Sequence, residues 1–306
     1  MSSQKELDAL NKKLIKYIEK HQMTPEGAMR ILGRSMSSKS ILVGSDFHCG
    51  SINALCSPEP IRDDGLQIVP TKQQKALYDF WETIPDQITK KPVLFLANGE
   101  PCDGANKKNG GSGVWTTNLG DQITDFAKCM EVIPYEHMLM TRGSPYHVTI
   151  DGTNFEEIIA KQMSIDNYRA FGGSGKTDYE VNFEINGKFF NATHHVGFSR
   201  WWQYRTTPLA IELVKMHFSN EKRKFHTDFL IRSHVHYYAR AGFLNTDAIS
   251  TPAWKLPDAF MYRNGVPVYP DIGMIEIIVE SNGSIVINPI VDYEVHLELS
   301  PMVKHY

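Results

Sequence analysis

Cysteine is scarce in this chain. Cys49, Cys56, Cys102 and Cys129 are the only four in 306 residues, which excludes a disulfide scaffold, and no Cys-x-x-Cys pair is present to cycle as a redox couple. A reducing compartment is therefore expected. Long hydrophobic runs are missing too: none approaches the ~20 residues that span a bilayer. The start, Met1-Ser2-Ser3-Gln4-Lys5-Glu6, lacks the apolar core of a signal peptide. Together these predict a cytoplasmic chain with no membrane partner. An excess of one charge is also absent. A formal net charge of -3 excludes a global pull toward nucleic acid or an anionic surface and leaves room only for local basic patches. No internal repeat or low-complexity tract is present. What remains is 42% hydrophobic and 22% charged, an ordinary globular composition, long enough for one large domain or a domain with an appendage.

Residues 4–21 carry Leu7, Leu10, Leu14, Tyr17 and Ile18 on one helical face, with Lys12, Lys13, Lys16 and Lys20 mainly outside it. A second helix is expected from Thr24 as N-cap to just before Gly33. This basic pair invites a helix-turn-helix reading. No third helix follows, however, so a helical appendage over 1–36, packed on the main domain or on another subunit, is the expectation. The main domain is expected over 39–297. Strand and helix patterns alternate: a strand ending at Asp46, a helix at 71–85, a strand at 93–97, a Gly/Lys-rich loop at 104–113, a helix at 119–131 and a strand at 136–141. A helix at 154–164 follows, then a hairpin at 179–193 turning on Asn186-Gly187, a helix at 206–218, a strand at 228–232 and a closing hairpin at 273–290. Alternation ending in antiparallel strands predicts a mixed-sheet α/β sandwich.

Several of these apolar strands end on groups that ligate metals. Ile41-Leu42-Val43 leads to Asp46-x-His48, and Val93–Leu96 to Gly99-Glu100-Pro101-Cys102-Asp103-Gly104. Phe189–Thr193 leads to His194-His195, and Phe229–Ile231 to Ser233-His234-Val235-His236. Carboxylates and imidazoles at strand C-terminal ends are what a metal site in an open α/β sheet requires, and mixed N/O donors suit Mn, Fe, Co, Ni or Zn. Cys49 and Cys102 lie beside these groups but in no nucleophile motif and are read as bystanders.

In this order the set resembles the calcineurin-like metallophosphoesterase family, over about residues 41–290. Asp46 and His48 match its Asp-x-His motif. Gly99-Glu100-x-x-Asp103 stands where the family has Gly-Asp-x-x-Asp, with Glu for the bridging Asp. Arg142-Gly143-Ser144-Pro145-Tyr146-His147 stands where it has Gly-Asn-His-Asp/Glu. His194 follows an apolar strand, and Ser233-His234-x-His236 stands for Gly-His-x-His. The variant third motif is similar to that of phage-type members, which implies a viral origin and the host cytoplasm.

The resemblance implies a four-layer αββα sandwich of two mixed sheets with a short N-terminal helical appendage. It also implies two divalent metal ions, Mn foremost. Asp46, His48 and His236 would hold one, His194 and His234 the other, and Glu100 would bridge, with Asp103 the alternative bridge. Ser144 stands where the family's Asn would ligate, His147 or water completes that shell, and His195 is the alternative to His194. The implied activity is hydrolysis of phosphate esters, diesters in the first place and nucleotides or nucleic acid among them, by metal-activated water. His147 is the candidate general acid and Arg142 the candidate phosphate clamp. The altered second and third motifs motivate an alternative, a catalytically degenerate member serving as a binding scaffold.

Two further segments carry motif-like patterns. Ala170–Thr177 (AFGGSGKT) fits a loose phosphate-binding loop, but a helical segment precedes it and a strand follows, the reverse of what such a loop needs. Ser199-Arg200-Trp201-Trp202-Gln203-Tyr204-Arg205 interleaves aromatics with arginines, a pattern able to stack bases or to serve as core beneath the site.

Overall fold

The structure, a computed structural model, describes residues 37–107, 110–150, 153–163, 177–199, 201–222, 226–258, 261 and 269–295, with residues 12, 15, 16 and 20 near the N-terminus. The two N-terminal helices expected over 4–33 otherwise lie outside the described residues, as does most of the 170–177 loop. In chain order the elements are β1 (Lys39–Gly44), α1 (Lys72–Gln87), β2 (Leu94–Asn98), α2 (Leu119–Met130), β3 (His137–Thr141), the single turn α3 (Pro145–Val148), a small ribbon of β4 (Thr149–Ile150) and β5 (Thr153–Asn154), and α4 (Phe155–Gln162). Then come β6 (Glu180–Ile185), β7 (Lys188–Thr193), α5 (Thr207–Asn220), β8 (Phe229–Arg232), β9 (Ala239–Phe243), β10 (Thr246–Ser250), β11 (Ile272–Val279) and β12 (Ile285–Asp292).

β1, β2 and β3 are almost wholly buried, as strands covered on both faces must be. They pair in parallel, so each connection crosses over through a helix, α1 and then α2. Thr71 starts α1 with a capping box shared with Gln74, and Asn118 starts α2 by accepting from the Gly120 N–H. β11 joins β1 antiparallel and β12 joins β11, which gives the order β12-β11-β1-β2-β3. The second sheet runs β6-β7-β8-β10-β9, with β7, β8 and β10 parallel and an antiparallel strand at each edge.

Alternation along the strands sorts the cores. Leu42, Phe95, Met138 and Met140 face Leu77 and Trp81 of α1, Phe126 of α2 and Ile159 of α4. Their neighbours Ile41, Val43, Leu96 and Leu139 turn the other way and meet Phe183, Phe190, Phe229 and Ile231 of the second sheet. On that sheet's far face Leu230 and Ala248 receive Leu209, Leu213 and Met216 of α5. The layers are therefore α, β, β, α, with two mixed sheets, as expected. The Asn186-Gly187 turn takes positive φ at both residues (49° and 76°), which a two-residue hairpin requires. The β9–β10 hairpin is an addition to the expected elements. Among the described residues no helix is long and apolar enough to cross a membrane.

Candidate metal centre

β1, β2, β7 and β8 release their chains at one rim, and backbone bonds hold the released loops together. The Asp46 N–H donates to the Gly99 carbonyl (3.2 Å), the His48 N–H to Glu100 (3.0 Å) and the Ser233 N–H to His194 (2.9 Å). Trp254 N–H donates to Asp46 O (3.0 Å) and Asp271 N–H to His236 O (2.9 Å), so segments after β10 also grip the rim. Eight non-glycine residues among those described have positive φ, and five of them are Asp46 (51°), His48 (48°), Glu100 (55°), His234 (73°) and His236 (57°). Each such residue costs about 1–3 kcal/mol, so strain is concentrated where side chains must be aimed. Glycine is required beside them. A Cβ on Gly99 (φ 87°) would stand 2.5 Å from His194 Nδ1, and one on Gly143 would strike Glu100.

The side chains converge in two groups that share one carboxylate. Asp46, His48, Glu100 and His236 offer ligand atoms all within 4.8 Å of one another, and so do Glu100, His194 and His234. His48 Nε2 lies 2.9 Å from one Glu100 oxygen and His194 Nε2 3.2 Å from the other, while His236 Nε2 is 3.1 Å from Asp46 Oδ1. Asp46 Oδ1, His48 Nε2 and His194 Nε2 are buried, and none has a partner in hydrogen-bonding geometry among the described residues. Buried polar atoms rarely stay unpartnered. Inward-facing imidazole nitrogens and carboxylate oxygens around a common point are a donor set that a divalent cation fits.

Neighbouring groups set which nitrogen faces inward. His194 Nδ1 donates to the Asn98 carbonyl (2.7 Å), which leaves Nε2 as the nitrogen that faces Glu100. Asn98 is itself held by Thr141, Ser233 and the Thr193 carbonyl. His48 Nδ1 donates to Asp103 Oδ1 (3.0 Å), and the buried Lys255 donates to the same oxygen (2.7 Å) while pairing with Asp258 (3.2 Å). Asp46 Oδ2 accepts from the Ser45 hydroxyl and the His234 N–H. Glu100 Oε1 accepts from the Ser144 N–H (3.1 Å).

The other candidates fall at varied distances from this centre. Asp103 stands behind His48, on its outer nitrogen, and belongs to neither group that contains Glu100. Ser144 reaches His234 Nδ1 at 3.4 Å with its hydroxyl. His195 is exposed, its ring tilted against that of His234 (centroids 4.5 Å). His147 lies edge-on to His48 (4.7 Å), with its Nδ1 donating to the Asp103 carbonyl (2.7 Å). Arg142 is not open to the centre. Its guanidinium is paired with Glu157, bonded to Thr177 (3.0 Å) and set over the Tyr179 ring (5.3 Å). All four cysteines are free and buried, and burial pushes their thiols up, in keeping with bystanders.

Lys255 and Glu156 join the site without having been singled out in the sequence. Glu156 is fully buried, accepts from the Gly143 N–H (2.7 Å) and is held up to about 8 by burial. The one sequence signal for Lys255 is a charge set inside the apolar run Ala253-Trp254-Lys255-Leu256.

Burial disfavours charge on every group here, and neighbours then decide. Burial pushes Asp46 and Glu100 up, but His236 and His194 hold Asp46 well below the usual carboxylate range, and His147, His194 and His48 do the same for Glu100. Burial lowers His194, yet Glu100 and Asp46 lift it to about 9. For His48, burial and Lys255 are outweighed by Glu100 and Asp103, and the net shift is upward. His234 goes the other way, to about 4, through desolvation of its ring together with repulsion from His194 and His195.

No family model and no curated protein matches the sequence. Among solved structures the chain is similar to Vps29 from Entamoeba histolytica, at 11% identity over 83% of this chain and 99% of that one, with a TM-score of 0.39. It is also similar to a predicted phosphoesterase from Streptococcus pneumoniae (8% identity, 84% and 100% covered, TM-score 0.35). A third is an archaeal phosphodiesterase (12%, 82% and 99%, TM-score 0.40). These likenesses are distant, and the functional reading rests on this chain's own residues.

Proposed function

We propose that this chain is a metal-dependent phosphoric ester hydrolase, acting by preference on diesters, with two divalent cations, Mn in the first place. The observation that carries the reading is the pair of ligand groups joined through Glu100, their inward-facing nitrogens and carboxylate oxygens meeting one another. Asp46, His48 and His236 would hold one ion, His194 and His234 the other, and Glu100 both. When bound, the ions supply Lewis acidity that acidifies water and neutralises charge on phosphoryl oxygens.

The remaining residues position these ligands. Asp103, steadied by Lys255, fixes the tautomer of His48. Asn98 does so for His194. We assign proton donation to the leaving alkoxide to His147. Burial holds its pKa down, so it takes up that proton only when an anionic ester arrives beside it and favours the charged ring.

The test is hydrolysis of bis(p-nitrophenyl) phosphate with Mn2+, measured with metal content. Asp46→Asn and His236→Ala should each abolish turnover and lower the ions bound per chain. Full metal loading without turnover across a series of mono- and diesters would replace this reading with that of a binding scaffold.

A further inference from the structure

Downstream of His195 a lip of three rings faces solvent within four residues: Trp201 is 67% exposed, Trp202 69% and Tyr204 54%. They are not loosely held. Trp202–Tyr204 forms a single 3-10 turn, and the Tyr204 N–H donates to the Trp201 carbonyl (3.0 Å). The Arg205 guanidinium lies over the Trp202 ring at 3.8 Å and over the buried Tyr237 ring at 4.5 Å. Tyr237 Oη donates to the Arg205 carbonyl (3.3 Å). Arg205 also pairs with Asp271 (3.9 Å), whose own N–H donates to the His236 carbonyl. The Trp202 ring is thus tied, through Arg205 and Asp271, to the backbone of a proposed metal ligand.

Exposed, prearranged rings suit a flat apolar partner, and nucleobases are the flat π-faced groups that phosphodiesters carry. We propose that Trp201, Trp202 and Tyr204 stack the unpaired bases of single-stranded nucleic acid and so deliver its phosphodiesters to the metal centre. This rests on the hydrolase reading for the delivery step, but not for the binding itself. Bases in a duplex are already stacked on each other, so the lip selects single strands.

The probe is fluorescently labelled (dT)12 in EDTA with the full chain, followed by anisotropy. The double variant Trp201→Ala/Trp202→Ala should lose binding by about tenfold or more. Trp201→Phe/Trp202→Phe keeps rings and should restore most of it, which separates ring loss from damage to the fold. An abasic strand of equal length, a duplex and free dTMP should all bind more weakly than (dT)12. Equal binding of (dT)12 by the alanine variant, or of the abasic strand by the wild type, would overturn the proposal. So would sedimentation showing that the rings are covered by a second copy of the chain. If (dT)12 binds as expected while bis(p-nitrophenyl) phosphate is not turned over, the hydrolase reading fails and the binding site stands.

Discussion

The floor and the mouth of the centre are built differently. Asp46, His48, Glu100 and His194 form the floor, each 2% exposed or less. Each is held from behind: Asp46 by Ser45 and the His234 N–H, His48 by Asp103, Glu100 by the Ser144 N–H, and His194 by Asn98. His234, His236 and His195 form the mouth. His236 Nδ1 has no hydrogen-bond partner among the described residues, and His234 has a long contact to Ser144. The floor is buried and held from behind, whereas the mouth is more open to solvent and has fewer hydrogen bonds. Preorganisation of this kind lowers the cost of ordering ligands around an ion, so the floor should dominate affinity while the mouth admits substrate.

The largest effect should come from the residue that both groups share. Glu100→Gln keeps the shape but removes the charge between two imidazole sets. It should reduce the ions bound from two to at most one by elemental analysis and lower diester turnover by more than about 100-fold, beyond what loss of an outer-shell partner costs. If Glu100→Gln still binds two ions, the two groups do not depend on a common carboxylate. Next comes Lys255→Met. Removing the ammonium leaves Asp103 buried without its main counter-charge, which should destabilise the fold by about 3–5 kcal/mol and weaken metal binding at the floor about 10–100-fold. His234→Ala should do neither, and should weaken only the ion it shares with His194. Equal losses in the two variants would erase the distinction between floor and mouth.

Much of this was legible in the chain. Strands buried on both faces read as short apolar runs, so their ends, and the candidate ligands that the structure brings together there, could be placed within a residue or two. Glu100 could be chosen as bridge from its motif position, but that it faces both groups while Asp103 serves His48 from behind depends on the left-handed turn at Glu100 (φ 55°), which no local pattern announces for a glutamate. Lys255 lies 152 positions from Asp103, and nothing local joins them. The β9–β10 hairpin was hidden because Leu244 takes the positive φ (54°) that such turns normally give to Gly or Asn. Arg142 read as a clamp because the sequence marks a charge beside a motif and does not show that Glu157 neutralises it.

Protons should distinguish floor from mouth as well. The His194 pKa is raised from 6.5 to about 9 in the folded, metal-free chain. Its contribution to stability is therefore fully present below pH about 6.5 and is lost as pH rises through about 9. Glu156, raised from 4.5 to about 8, acts in the same sense: its contribution is lost as pH rises toward and through 8. In EDTA the thermal midpoint should fall between pH 6 and pH 9.5, and His194→Gln should flatten that fall. The cation that His194 shares with His234 must displace the His194 proton, so its affinity should rise with pH across this window. His234, near 4, has no proton to give up at pH 7 and adds nothing to that slope. An unchanged pH slope of metal binding in His194→Gln would contradict this assignment.

The smallest effect is expected at Arg142. A clamp must leave its guanidinium free for the ester, and here Glu157, Thr177 and Tyr179 already occupy it at the periphery of the mouth. Arg142→Ala should cost roughly 1 kcal/mol of stability, as for a partly exposed pair with one cation–π contact. It should change kcat/KM for the small diester by no more than about threefold. An unpaired Glu157 would then sit beside the mouth, and Glu157→Gln in the same background should remove what little effect there is by relieving repulsion of the anionic substrate. A tenfold rise in KM with an unchanged thermal midpoint would mean instead that Arg142 leaves Glu157 for the phosphate during turnover. The pair would then be a resting state of the site, and the mouth would contribute charge as well as access.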